Sequence, residues 1–224
     1  MRCADPSSDA LVFAGVTTVQ PRRDETAVLV PVKAFGAAKA RLTGTLEPAA
    51  RRDLARWMAR RVVVAAHPLP VFVACDDDDV AELADELGAD VLWSPGLGLN
   101  GAVDAGVATI AGKGFEHVVI SHGDLPLADS LPRVVRSGTT VIVPDRRRDG
   151  TNVLARPCAT TIPASYGAGS FRRHLAYALA VGGPVMVRID AELSLDLDTV
   201  EDLRHPLVWP HVRGVVEPAG ATGA

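Results

Sequence analysis

A chain of 224 residues is long enough for one domain, and its 48% apolar content supplies a core. Aromatics at only 4% and a net charge of −4 exclude a base-stacking single-strand binder and a protein held to nucleic acid by a global basic field. Three widely spaced cysteines with no C-x-x-C exclude a disulfide framework and a thiolate zinc site, and no apolar run approaches the ~18 residues of a membrane span; a reducing cytoplasm is the expected compartment.

Residues 1–26 mix Ser, Asp, Pro and Arg without periodicity and read as a loose leader, although Leu11-Val12-Phe13 is a short apolar run. Order begins at 27–32, a continuous apolar strand of the kind buried on both faces of a parallel sheet. It runs into a loop carrying Lys33, Lys39 and Arg41. A helix follows, capped by Thr45, with Pro48 in its first turn and Leu54, Met58 and Val62 as its inner face. Strand 71–74 leads to four acids, 76–79, which stand where the dipole of the next helix favours them. That helix carries Val80, Leu83 and Leu87. After a short strand at 90–93, the glycine-rich 96–101 opens a helix with Val103, Val107 and Ile110, a lead that lets backbone N–H groups approach an anion.

The central strand, Val118-Val119-Ile120, stops abruptly at Gly123, Asp124 and Pro126. In an open α/β sheet, ligands bind outside the carboxyl ends of strands. Asp124 therefore either holds a cation there or caps the turn that begins at Leu125. Strand 140–144, the turn at Asp149-Gly150 and strand 152–155 form an antiparallel hairpin, with Arg146 to Arg148 as a solvated turn. Ser170 is placed as the cap of a helix with His174 on its inner side. Strand 184–188 follows, and 193–198 leads into a short helix through Leu203. Residues 213–224 are rich in Gly, Ala and Pro and read as a flexible tail.

Strand and helix alternate through the first two-thirds, so one α/β domain is expected over 27–212. Right-handed crossovers stack helices on both faces, giving three α/β/α layers around a mixed, mostly parallel sheet. Three features converge: the cationic loop of Lys33, Lys39 and Arg41, the lone Asp124, and the pair Asp196 and Asp198. Cations can neutralise a triphosphate, and separated carboxylates can hold Mg2+. This is equipment for phosphoryl or nucleotidyl transfer. No Walker motif and no G-x-S-x-G elbow is present.

The residues Val30-Pro31-Val32-Lys33, Lys39-x-Arg41-Leu42, Gly98-Leu99-Asn100, His122-Gly123-Asp124-Leu125-Pro126-Leu127, Gly150-Thr151-Asn152, Tyr166-Gly167-x-x-Ser170-Phe171 and Leu195-Asp196-Leu197-Asp198 occur in an order that resembles the 2-phospho-L-lactate / phosphoenolpyruvate guanylyltransferase family of coenzyme F-420 biosynthesis. The resemblance implies a nucleotide-diphospho-sugar-transferase-like fold and transfer of GMP from GTP to the phosphate of a small phosphorylated carboxylic acid. The acceptor would be phosphoenolpyruvate, 2-phospho-L-lactate or 3-phosphoglycerate, with phosphoenolpyruvate favoured by the bacterial look of the composition.

Asp124 and Asp196 fall on the family's Mg2+-binding aspartates and, with Lys33, form the expected catalytic set. Thr151, Gly167 and Ser170 fall on the acceptor-phosphate cradle. Lys33, Lys39 and Arg41 match the nucleotide side, and Asn100 is expected near the nucleoside. Asp198 is read either as a residue supporting the metal-binding aspartates from behind or as the cap of the last helix, the cap favoured, and His174 as structural. His122 either touches a phosphate or packs. A labile product makes direct handover to the next enzyme an expectation. The alternatives on the same scaffold are a sugar-phosphate or molybdopterin nucleotidyltransferase and a non-catalytic GTP-binding subunit; neither nucleic acid nor membrane is an expected partner.

Overall fold

The computed structural model describes residues 25–217. Seven strands form one sheet: β1 (Thr26–Pro31), β2 (Val71–Cys75), β3 (Asp90–Trp93), β4 (His117–Ser121), β5 (Thr140–Pro144), β6 (Thr151–Pro157) and β7 (Val185–Val187). Their spatial order is β3-β2-β1-β4-β6-β5-β7, and β6 alone runs antiparallel to its neighbours. The helices are α1 (Pro48–Ala65), α2 (Asp78–Glu86), α3 (Gly98–Gly112), α4 (Ser170–Val181), α5 (Val200–Leu203) and α6 (Trp209–Val216).

The alternation of side chains along each strand builds the three expected layers. Val28 and Val30 of β1 face α1, whereas Ala27 and Leu29 pack with Val103, Val107 and Ile110 of α3. Helix α2 joins the α1 side through Val80 and Leu83. A Cβ on Gly106 would lie 2.9 Å from both methyls of Leu29, so α3 rides as close to β1 as backbone allows. The chain goes from β1 outward to β2 and β3, then returns to place β4 on the other side of β1. That reversal leaves a crevice beyond the carboxyl ends of β1 and β4, where such sheets bind ligands.

Several local readings change. Helix α1 has Glu47, not Thr45, at its N-cap, with no side-chain hydrogen bond there. Helix α4 is preceded by Gly169 in the left-handed region (φ 73°), so Ser170 is its first residue and not its cap. Thr199, not Asp198, caps α5, in a reciprocal box with Asp202. Residues 213–216 of the expected tail belong to α6. Pro210 stands in the first turn of that helix, and Val208, Val212 and Val216 recur every four residues to meet Leu54 and Met58 of α1. The leader through residue 24, with Leu11-Val12-Phe13, and residues 218–224 lie outside the described residues.

The acidic run behaves as its position suggests: Asp77 Oδ1 accepts the Val80 N–H at 3.2 Å, and Asp78 and Asp79 sit in the first turn of α2. Asp77→Ala should lower stability by about 1 kcal/mol, read as a shifted urea midpoint at unchanged m.

Candidate active site

The loop after β1 is pinned at two places. Phe35 is buried against Ala55 and Ala59, and Leu42 against Leu54 and Met58, all on α1. Between these anchors Lys39 adopts φ 56°, a left-handed conformation unusual for a non-glycine residue. Its ammonium lies 2.8 Å from Asp124 Oδ2 and 2.9 Å from Asp198 Oδ1, with the side chain only 6% exposed. Burial alone would lower the Lys39 pKa, but Asp124 and Asp198 outweigh it and hold the ammonium charged above its usual range. Arg41 stays 73% exposed, 3.6 Å from Asp198 Oδ2, and Lys33 stands exposed at the rim.

The loop after β4 is fixed from both sides. His122 N–H donates to the Asn152 carbonyl at 3.0 Å. A Cβ on Gly123 would come within 3.2 Å of Val32 Cγ2, so the turn presses on the end of β1. Asp124 then receives the Leu197 N–H on its backbone carbonyl at 3.1 Å, which draws Asp196 to the same place. The two aspartates, 72 positions apart by their numbering (196 − 124), thus line one cavity. Burial first, then the charge of Asp124, pushes the Asp196 carboxyl up to about 6. Burial opposes ionisation of Asp124 too, yet Lys39 and then His122 outweigh it and hold that carboxyl below its usual range. His122 is itself driven towards the neutral form by burial.

Two adjoining cavities of ≈ 300 and ≈ 280 Å³ share His122, Asp124 and Asp198. The first is walled by Pro31, Lys33, Phe35, Lys39 and Leu99. The second is walled by Arg41, Arg147, Thr151, Gly167, Ser170 and Asp196. Thr151 and Ser170 are held rather than loose. The Thr151 N–H donates to Ser170 Oγ at 3.0 Å, and Thr151 Oγ1 lies 3.0 Å from His174 Nδ1. His174 Nε2 accepts the Ser165 N–H at 3.1 Å, so the neutral ring carries its proton on Nδ1 and donates to Thr151. Burial and then Arg173 push the His174 pKa down to about 4, which keeps that tautomer in place. Its structural reading therefore stands.

The carboxylates suit a hard divalent cation. Asp124 Oδ1 is buried without a hydrogen-bond partner, and a lysine ammonium already rests in the same anionic notch. Among the described residues no group of three or more His, Cys, Asp or Glu is arranged to hold a metal, so substrate oxygens and water would have to complete the shell of any ion here.

The family model described as guanylyl transferase, CofC-like, matches residues 26–211. The chain belongs to this guanylyl transferase family. The phosphoenolpyruvate guanylyltransferase of Rubrobacter xylanophilus is 39% identical over 184 residues, covering 78% of this chain and 90% of that one. The 2-phospho-L-lactate guanylyltransferase of Methanothermobacter thermautotrophicus is 34% identical over 189 residues, covering 80% and 82%. A solved Desulfovibrio desulfuricans protein described as a nucleotide-diphospho-sugar transferase superposes with a TM-score of 0.64 at 17% identity, covering 80% and 84%. The expected fold type is thereby met.

Within this guanylyl transferase fold, Lys33, Lys39, Arg41, Asp124, Asp196, Thr151, Gly167 and Ser170 all line the paired cavities. Asn100 does not: Leu99 lines the first cavity, and Asn100 Oδ1 accepts the Tyr166 N–H at 2.7 Å. The reading of Asp198 as a cap is corrected by its ion pair with Lys39.

The basic run is only partly solvated. Arg146 pairs with the buried Asp202, and Arg147 reaches the second cavity. Asp145 was missed as an organiser; its carboxylate accepts the N–H groups of Asp149 and Gly150 at 2.9 Å and sets the hairpin turn. An aspartate five residues before a turn glycine was the available signal.

Proposed function

We propose that this chain transfers GMP from GTP to the phosphate of a small phosphorylated carboxylic acid, phosphoenolpyruvate or 2-phospho-L-lactate, in the route to a deazaflavin coenzyme. Relatives named for these two acceptors align over most of the chain. The observation that carries the reading is the position of Asp124 on the seam between two cavities, one cationic on the β1 side and one walled by Thr151, Gly167 and Arg147. A nucleotidyl transfer needs two anionic substrates brought end to end, and such a seam is where they would meet.

Lys33 and Arg41 are exposed and can meet the triphosphate, and Lys39 can join them once its carboxylate partners take another cation. An oxygen of the acceptor phosphate attacks the α-phosphorus of GTP, the bond to the bridging oxygen breaks, and pyrophosphate leaves with the electron pair. Asp124 and Asp196 would hold Mg2+, which when bound neutralises charge on the transferring phosphoryl group. No proton needs removing from an ionised phosphate nucleophile, so positioning and electrostatics carry the rate.

The test is a matrix of GTP and ATP against phosphoenolpyruvate, 2-phospho-L-lactate and 3-phosphoglycerate with Mg2+, read by pyrophosphate release and product mass. Pyrophosphate is expected only with GTP plus a phospho-acid, giving a guanosine diphosphate ester. Release independent of any acceptor, or no release with all three, would defeat the reading.

A further inference from the structure

Between β6 and α4 the chain passes through a strap, 164–166, that belongs to neither helix nor strand. Its amides are nevertheless all taken. Asp104 Oδ1 accepts the Ala164 N–H at 2.9 Å and Asn100 Oδ1 accepts the Tyr166 N–H at 2.7 Å, both from α3. The intervening Ser165 turns the other way, to α4. His174 Nε2 accepts its N–H, and Arg173 donates to its carbonyl at 2.8 Å and to its hydroxyl at 2.6 Å.

The spacing is a geometric match. Four residues of helix rise about 6 Å, and two residues of extended chain rise about 6.6 Å. Side chains one helical turn apart can therefore grip alternate strap amides. The Tyr166 ring is buried between His122 and His174, at centroid distances of 4.9 and 4.7 Å. The next residue, Gly167, has φ 109° and enters the wall of the second cavity. Upstream, the buried Arg156 guanidinium donates to the carbonyls of Pro157 and Cys158 and gathers the approach to the strap.

We propose that Asn100, with Asp104, is a positioning residue for the acceptor. It acts from the helix whose first turn, through Leu99, borders the nucleotide cavity, and it fixes where Gly167 stands. This rests on the guanylyl-transfer reading for the identity of the two cavities. It makes α3 a rigid link between them: one turn of helix touches the nucleotide side and holds the acceptor wall.

The experiment compares Asn100→Ala with Asn100→Asp, which keeps the accepting oxygen. Asn100→Ala should raise KM for the phospho-acid by about tenfold, the worth of one lost hydrogen bond, and leave KM for GTP within about twofold. Asn100→Asp should restore the acceptor KM. Amide hydrogen exchange gives a readout that needs no turnover: the Tyr166 amide should exchange faster in Asn100→Ala, and the Ala164 amide faster in Asp104→Ala. A raised KM for GTP with an unchanged acceptor KM, or an unchanged exchange rate at Tyr166, overturns the proposal. If the wild-type chain releases no pyrophosphate with any acceptor, the guanylyl reading fails by itself. The exchange data then still decide whether Asn100 holds the strap.

Discussion

Asp124→Asn should reduce turnover about 10^3-fold or more, a loss of roughly 4 kcal/mol of transition-state stabilisation, while the protein stays folded. The side chain keeps its size, and its amide oxygen can still accept from Lys39, whose second partner Asp198 remains. What disappears is the charge at the seam of the two cavities. Asp124→Ala is the harsher change, because it leaves the nearly buried Lys39 ammonium with one carboxylate instead of two. Pyrophosphate release in a single turnover, with thermal unfolding of both variants alongside, separates lost chemistry from lost fold. Asp124→Asn turning over within about tenfold of the wild type would remove Asp124 from the transfer step.

Asp196→Asn should do two opposite things. Turnover should fall by about 10^2- to 10^3-fold, as for loss of one preorganised electrostatic group. Metal-free stability near pH 7 should rise by about 1–2 kcal/mol, since the variant no longer holds an anion beside Asp124 in a poorly solvated place. The sign follows from the direction of the shift. The folded-state pKa of about 6 lies above the unfolded value, so the folded protein binds more protons between about 4 and 6. The wild-type protein in chelator therefore loses stability as pH rises through that window, and Asp196→Asn lacks that component of the slope. Denaturant unfolding of both proteins across this range checks it. Equal slopes would mean that Asp196 is not the strained group. A residue that costs stability and supports activity is the pattern expected of a functional site.

The strands were legible because most carry a run of β-branched and aliphatic residues at their centre. Lys33, Asp124 and the motif around Asp196 could be grouped by their chemistry and by the resemblance of their motifs, and the strand order then sets the ends of β1 and β4 side by side. Caps were less legible. Asp198 and Thr199 are adjacent and both are good capping residues, and the choice between them involves Lys39, 159 positions away from Asp198. Ser170 lost the cap position to a neighbouring glycine able to adopt positive φ. Helix α6 was hidden by its composition: Gly214 and the Gly, Ala and Pro that follow it suggested fraying, whereas Val208, Val212 and Val216 had a partner surface on α1 that local sequence does not display. The bond that Asn100 makes was not legible either. Its motif pointed to the nucleotide, but its side-chain oxygen is committed to an amide 66 residues downstream.

The alternation of the strap has a corollary for how this segment can vary. Because 164 and 166 answer to one helix and 165 to the other, its length obeys a parity rule. Adding or removing a single residue inside it would turn each amide from one helix towards the other and shift Gly167 from its wall. A change by two preserves the sense of every contact.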